Sequence, residues 1–178
     1  NESMLKFSTN KKGDIRFGLA AIKGVGEAAS ESIIRERREN GPYKSILDFM
    51  ERVNYSVVNR KCLESIAYAG GFDSLIEFNR SRFFALDNNS ALMHLEALMR
   101  YGQRVQQEKQ NAQQSLFGMM GDSAGGNIQA PAVPVAEDWN NLTILNKERE
   151  VIGLYLSSHP LDRFKFVITK MSDVELAD

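Results

Sequence analysis

Cysteine is what this sequence has least of. A single residue, Cys62, in 178 excludes a disulfide framework and a cysteine-rich zinc site, and it fits a reducing compartment. Histidine is nearly as scarce: His94 and His159 stand far apart, and neither belongs to a cluster of metal-ligating residues. An excess of one charge is missing too. Lys and Arg total 22 against 23 Asp and Glu, a net charge of −1, so composition does not point to nucleic acid. Any contact with it must come from a local patch or from backbone groups. No apolar run is long enough to span a membrane and no signal peptide is visible, so no membrane partner is expected. At 43% hydrophobic, the chain can hold one or two small domains with their own cores. It opens "NESMLKF" without an initiator methionine, which reads as a piece excised from a longer chain.

What is present is mainly helical. Residues 1–18 carry two short β-like runs, Met4–Ser8 and Asp14–Phe17, around a turn-rich stretch, so a hairpin lead-in is expected. From Leu19 the pattern turns helical. Glu27–Glu39 has apolar Ala28, Ala29, Ile33 and Ile34 on one side and a charged face on the other. Ser45 is the expected N-cap of a short helix through Val53, and Ser56 that of the next, which stops at Gly70. A third block, from about 74 to 114, is expected to break near 87–90 and to end in a polar helix projecting from the core. His94 is expected on its surface. Residues 118–136, rich in Gly, Ala and Pro, read as a flexible linker. Helices at 141–156 and 160–171 should follow, within a segment 137–178.

The densest signal is "AIKGVGEAA". Two glycines around Val25 separate two helical stretches. Such a turn can aim successive backbone N–H groups outward at the start of a helix, the geometry that binds a phosphate oxygen. A Cβ at Gly24 or Gly26 would hold a phosphodiester off. Contact of this kind carries no base information, so sequence-independent backbone binding is the expected function. A tight helix–helix turn without a ligand is the plainer alternative. A degenerate second copy tilts the balance toward DNA: Leu19-x-x-Ile22-x-Gly24-Val25-Gly26 lines up with Ile66-x-x-Ala69-x-Gly71-Phe72-Asp73. Candidate contacts are Lys23, Gly24, Val25 and Gly26, helped by Arg35, Arg60, Lys61 and Gly71. Asp73, where the first copy has Gly26, would repel phosphate.

"AIKGVGEAASESI" resembles a helix-hairpin-helix motif. The longer string "IRFGLAAIKGVGEAA…GPYKSILDF…VNRKCLESIAYAGGFDSL" closely resembles the C-terminal part of the bacterial replicative polymerases of the DNA polymerase III alpha family. "KEREVIGLYLSSHPLD" at 147–162 is similar to the stretch leading into the OB domain of that family. The resemblance implies a tandem helix-hairpin-helix region at 19–117 that grips duplex DNA, in a bacterial cytoplasm, alongside other replicase subunits. It also implies a monovalent cation at the first hairpin when DNA is bound. The magnesium-binding carboxylates of such a polymerase would lie far upstream.

No catalytic residue is visible in the chain itself. A helix-hairpin-helix glycosylase would place an aspartate near Asp48, but the lysine of bifunctional members is replaced by Glu27-Ala28 and no four-cysteine cluster exists. A scaffold whose hairpins only pack is the remaining rival. Finally, "QQSLF" puts Leu116-Phe117 beside the linker, where no core is evident. They either fold back or are buried by a partner. Gln113, Leu116 and Phe117 resemble the pentapeptide with which bacterial polymerases hold the sliding clamp, which implies that partner.

Overall fold

The computed structural model describes residues 1–10, 12–86, 91–117 and 128–166, leaving aside the side chains of 113–117 and 163. Strands β1 (Ser8–Thr9) and β2 (Ile15–Arg16) form an antiparallel hairpin, shorter than the sequence suggests, with Ser8 opposite Arg16. Asn10 closes it: its side-chain oxygen accepts the amides of Lys12 and Asp14. The lead-in is tied to the helical body. Leu19 N donates to Met4 O, Ala20 N to Leu5 O, and Asn1 exchanges two hydrogen bonds with the Tyr43 backbone.

Five α-helices follow among the described residues: α1 (Glu27–Asn40), α2 (Ile46–Arg52), α3 (Arg60–Tyr68), α4 (His94–Phe117) and α5 (Asn141–Ile152). Ser45 caps α2 as expected, accepting from Asp48 N. The cap of α3, however, is Asn59, which accepts from Cys62 N, and not Ser56. Asn54 explains the difference. Its side chain takes the Ser56 amide and its carbonyl takes those of Val57 and Val58, so residues 54–58 close a turn before any helix can start.

The block from 74 onward is less helical than its composition. Asp73–Leu75 and Arg80–Phe84 are short 3₁₀ helices, and this stretch sends Phe72, Leu75 and Phe83 into the core with Phe78 packed against it. His94 is buried at 1% exposure, edge-on to Phe78 with ring centroids 6.0 Å apart, which corrects its expected surface position. α4 then runs along α2. A Cβ on Gly102 would collide with Met50 O and the Tyr55 hydroxyl, so glycine sets this close approach. The polar end of α4 stays docked through Gln106, which donates to Glu51 O and Val53 O, and Lys109, which pairs with Glu51. Residues 107–112 are exposed.

Residues 118–127 lie outside the described residues, and 128–140 run without regular structure. Trp139 anchors this return, stacked on Phe84 at 5.3 Å, while its backbone exchanges two hydrogen bonds with Asn79. α5 stops at Ile152 rather than 156, because Gly153 turns left-handed and donates to Arg149 O. Of the helix expected at 160–171, the described part is a 3₁₀ turn at Asp162–Phe164 with residues 165–166 helical, and everything beyond 166 lies outside the described residues. One core serves all of this: Met50, Val58, Leu63, Phe72 and Phe83 pack with Val25 from the first turn and Val151 from α5.

Candidate nucleic-acid interface

The first hairpin is built by a 3₁₀ turn, Leu19–Ala21, followed by Ile22, and by α1. Gly24 crosses between them at φ +90°, a conformation costly for any L side chain. Val25 is 4% exposed and plugs the gap between the helices. The two glycines differ in purpose. A Cβ on Gly24 would stand 2.8 Å from Ser65 Oγ and against the Lys61 stem, so this glycine lets α3 approach the turn. A Cβ on Gly26 would meet nothing within 4 Å. Gly26 is the exposed N-cap of α1, and no side chain among the described residues caps that helix. The first amides of a 14-residue helix therefore open outward, at the positive end of its dipole.

Not every amide of the turn is offered. Val25 N donates to Ile22 O at 3.0 Å, and Lys23 N to Val151 O at 2.8 Å. The outward donors are left to Gly24, Gly26 and the first turn of α1.

The candidate cations sort themselves by position. Lys23 and Lys61 flank Gly24, are exposed, and make no ion pair among the described residues. Lys61 comes from α3, so the helix of the second unit serves the turn of the first. Arg60 faces elsewhere, its guanidinium held by Glu64 and Glu96. Arg35 lies eight residues along α1 from Glu27, about 12 Å from the helix start at 1.5 Å per residue. There, with Arg38, it lines a groove against Met4 and Leu5.

The second hairpin is closed inward. Its left-handed glycine is Gly70 at φ +76°, one place before the Gly71 that aligns with Gly24. Gly71 N is occupied by Ile66 O at 2.9 Å, and Phe72 is buried as Val25 is. Asp73 turns its carboxylate onto Arg80, whose third guanidinium nitrogen reaches the fully buried Glu148 of α5 at 2.9 Å. Glu148 was the residue sequence reasoning missed. The signal was available: Leu145, Glu148 and Val151 share one buried stripe of α5, and a carboxylate on an apolar stripe calls for a partner.

The remaining candidates have structural employment. Asp48 accepts the Lys44 amide and pairs with Arg52; burial alone would raise its pKa, but these contacts outweigh it and hold the carboxyl below its usual range. Cys62 is buried, and burial pushes its thiol up to about 11. Among the described residues no group of three His, Cys, Asp or Glu could hold a metal ion, and no helix is long and apolar enough to cross a membrane. The Gln113–Phe117 peptide closes α4, but the side chains of Gln113, Leu116 and Phe117 lie outside the described residues.

A capless helix start, a left-handed glycine and a buried valine plug define a helix-hairpin-helix protein, and the family model for the helix-hairpin-helix motif matches residues 1–83. The chain belongs to the DNA polymerase III alpha family. It is 34% identical over 176 residues to the DNA polymerase III subunit alpha of Xylella fastidiosa strain Temecula1, a match covering 99% of this chain and 14% of that protein. The corresponding subunit of Campylobacter jejuni is 34% identical over 181 residues, covering 100% of this chain and 14% of the relative. That of Thermus aquaticus is 33% identical over 151 residues, 85% of this chain and 11% of the relative. The chain thus spans about a seventh of the length of these relatives.

Proposed function

We propose that this chain is a non-catalytic segment of a bacterial replicative polymerase that grips duplex DNA by its backbone and docks a sliding clamp. The observation that carries the first half is the uncapped, open start of α1 at Gly26, with Lys23 and Lys61 beside it. Amides at a helix N-terminus and two flanking ammonium groups suit a phosphate and read no sequence. The inward-facing second hairpin suits the scaffold reading instead, so one hairpin of the pair would touch DNA. The clamp half rests on the resemblance of Gln113, Leu116 and Phe117 to a clamp-binding peptide at the end of α4.

A monovalent cation belongs to the same reading. The turn offers neutral backbone carbonyls, hard oxygen donors, and Ile22 O spends only one lone pair on Val25 N. DNA phosphate would complete the shell, so affinity should fall when potassium is exchanged for a bulky organic cation at equal ionic strength.

Duplex titration against salt, with the parent chain and Gly26→Asp, tests the DNA reading. Aspartate is as good an N-cap as any and favours the helix dipole, so the variant should fold at least as stably. It also places a carboxylate where the phosphate would sit. Binding that is salt-dependent in the parent and lost in the variant supports the reading. A variant that binds as tightly as the parent removes it.

A further inference from the structure

We propose that Glu148 is a positioning residue for the first hairpin: through Arg80 it fastens α5 to Asp73 in the second turn, and so holds the Val151 carbonyl against the Lys23 amide in the first. The proposal rests on the DNA-binding reading of that hairpin and assigns a purpose to the helix that returns after the linker.

The two ends of the tie lie on one helix face. Glu148 and Val151 are three residues apart on α5, about 4.5 Å along its axis. Glu148 has no exposed surface, so it cannot touch DNA. Its carboxylate is saturated: Arg80 Nη1 and the Ser157 hydroxyl donate to Oε1, and the amides of Leu156 and Ser157 donate to Oε2 at 3.2 and 3.1 Å. Arg80 spends its other nitrogens on Asp73, with Nε 2.8 Å from Oδ1, and reaches Tyr68 O at 3.3 Å. The charged chain Asp73–Arg80–Glu148 therefore runs from the second turn into α5.

At the other end, Val151 O is one of the last carbonyls of α5, which lack an acceptor role inside the helix. Lys23 N takes it up at 2.8 Å. The bond turns the Lys23 peptide inward immediately before the left-handed Gly24, and this decides which amides of the turn face out. The two hairpins have thus divided the labour: one keeps its glycine open, and the other exchanged it for a carboxylate that secures the helix behind both.

The test uses Glu148→Gln in the full chain, with residue-resolved amide exchange at Lys23 and Val25 and duplex binding across salt. Val25 N bonds within the turn and serves as the local control. The expected result is exchange at Lys23 about tenfold faster than in the parent, Val25 unchanged, and DNA affinity about tenfold weaker at an unchanged salt slope. Unchanged Lys23 exchange overturns the proposal. So does an equal rise at both amides in a folded variant, the mark of a merely structural residue, and so does a shallower salt slope, which would mean a lost phosphate contact. Should Glu148→Gln fail to fold, Asp73→Ala cuts the tie at its half-exposed end and the same two amides are read. If the parent does not bind duplex, the DNA reading fails alone, and exchange at Lys23 still decides whether α5 holds the turn.

Discussion

Gly70 and Arg80 occupy one space: a Cβ on Gly70 would overlap the Arg80 guanidinium and stand 3.0 Å from the Asp73 carboxylate. Gly70 also sits at φ +76°, so the position excludes a side chain twice over. Gly70→Ala should therefore destabilise the chain by about 1–3 kcal/mol, as expected for a side chain forced into the left-handed region. Denaturant unfolding of the variant measures it, and a loss under half a kcal/mol would mean that Arg80 has another route to Glu148.

Gly24 makes the same point at the other turn, with a consequence for DNA-binding assays. Gly24→Ala meets both φ +90° and Ser65 Oγ at 2.8 Å, so it should cost roughly 2 kcal/mol or more of stability. Loss of DNA binding in that variant would report misfolding. Adding Ser65→Ala should recover the steric part and leave the backbone part. Thermal unfolding of the single and double variants separates the two. No recovery in the double variant would show that Ser65 does not set the contact.

The first turn also marks what was legible in the sequence. The order of helices, the turn at Gly24–Gly26 and the buried Val25 follow from local spacing, and so does the Ser45 cap. Asn59 was harder to see, because Asn54 first diverts the amides at 56–58. His94 looked like a surface residue because its burial depends on Phe78, sixteen positions upstream, and on the 3₁₀ turn between. The pairing of Lys23 with Val151 had no local signature at all. Both partners are backbone atoms, brought together by a helix that returns across a linker.

Adjacent in sequence, Arg60 and Lys61 should behave oppositely. Lys61 lies beside the open turn without an ion pair among the described residues, whereas Arg60 is held by Glu64 and Glu96. Lys61→Ala should make the dependence of log K on log salt shallower by about one unit. Arg60→Ala should leave that slope alone. Equal slopes for both variants would place the phosphate path away from Gly24.

Acid should loosen the chain through two paired carboxylates. Burial alone would raise Glu148, but Ser157 and Arg80 outweigh it and hold its pKa below the ordinary glutamate value; Asp48 is lowered despite its own burial by Lys44 N and Arg52. A carboxylate lowered by folding stabilises the native state above its unfolded pKa, about 4 for these side chains. That stabilisation is lost as pH falls through the folded value. Unfolding free energy should therefore drop from about pH 4 downward, and the drop should be shallower in Asp48→Asn. A variant with an identical acid limb would show that Asp48 is not among the groups responsible.

The clamp peptide is the one proposed contact with another protein. α4 carries Gln113–Phe117 at its very end, after an exposed stretch from 107 to 112 and beyond Lys109, whose pair with Glu51 ties the helix to α2. Two large apolar side chains in such a place gain about 1.5–3 kcal/mol each if a pocket on another protein buries them. Part of that gain is offset by ordering the peptide on binding, which keeps the affinity moderate. Leu116→Ala with Phe117→Ala should thus abolish binding to a purified clamp, while duplex binding at the first hairpin stays as in the parent. Gln113→Ala should have a smaller effect, since it removes one orienting hydrogen bond worth about 1 kcal/mol. Surface plasmon resonance against immobilised clamp measures both. If the double variant binds the clamp as tightly as the parent, the apolar pair is spent elsewhere and the docking site must be sought on another part of the chain.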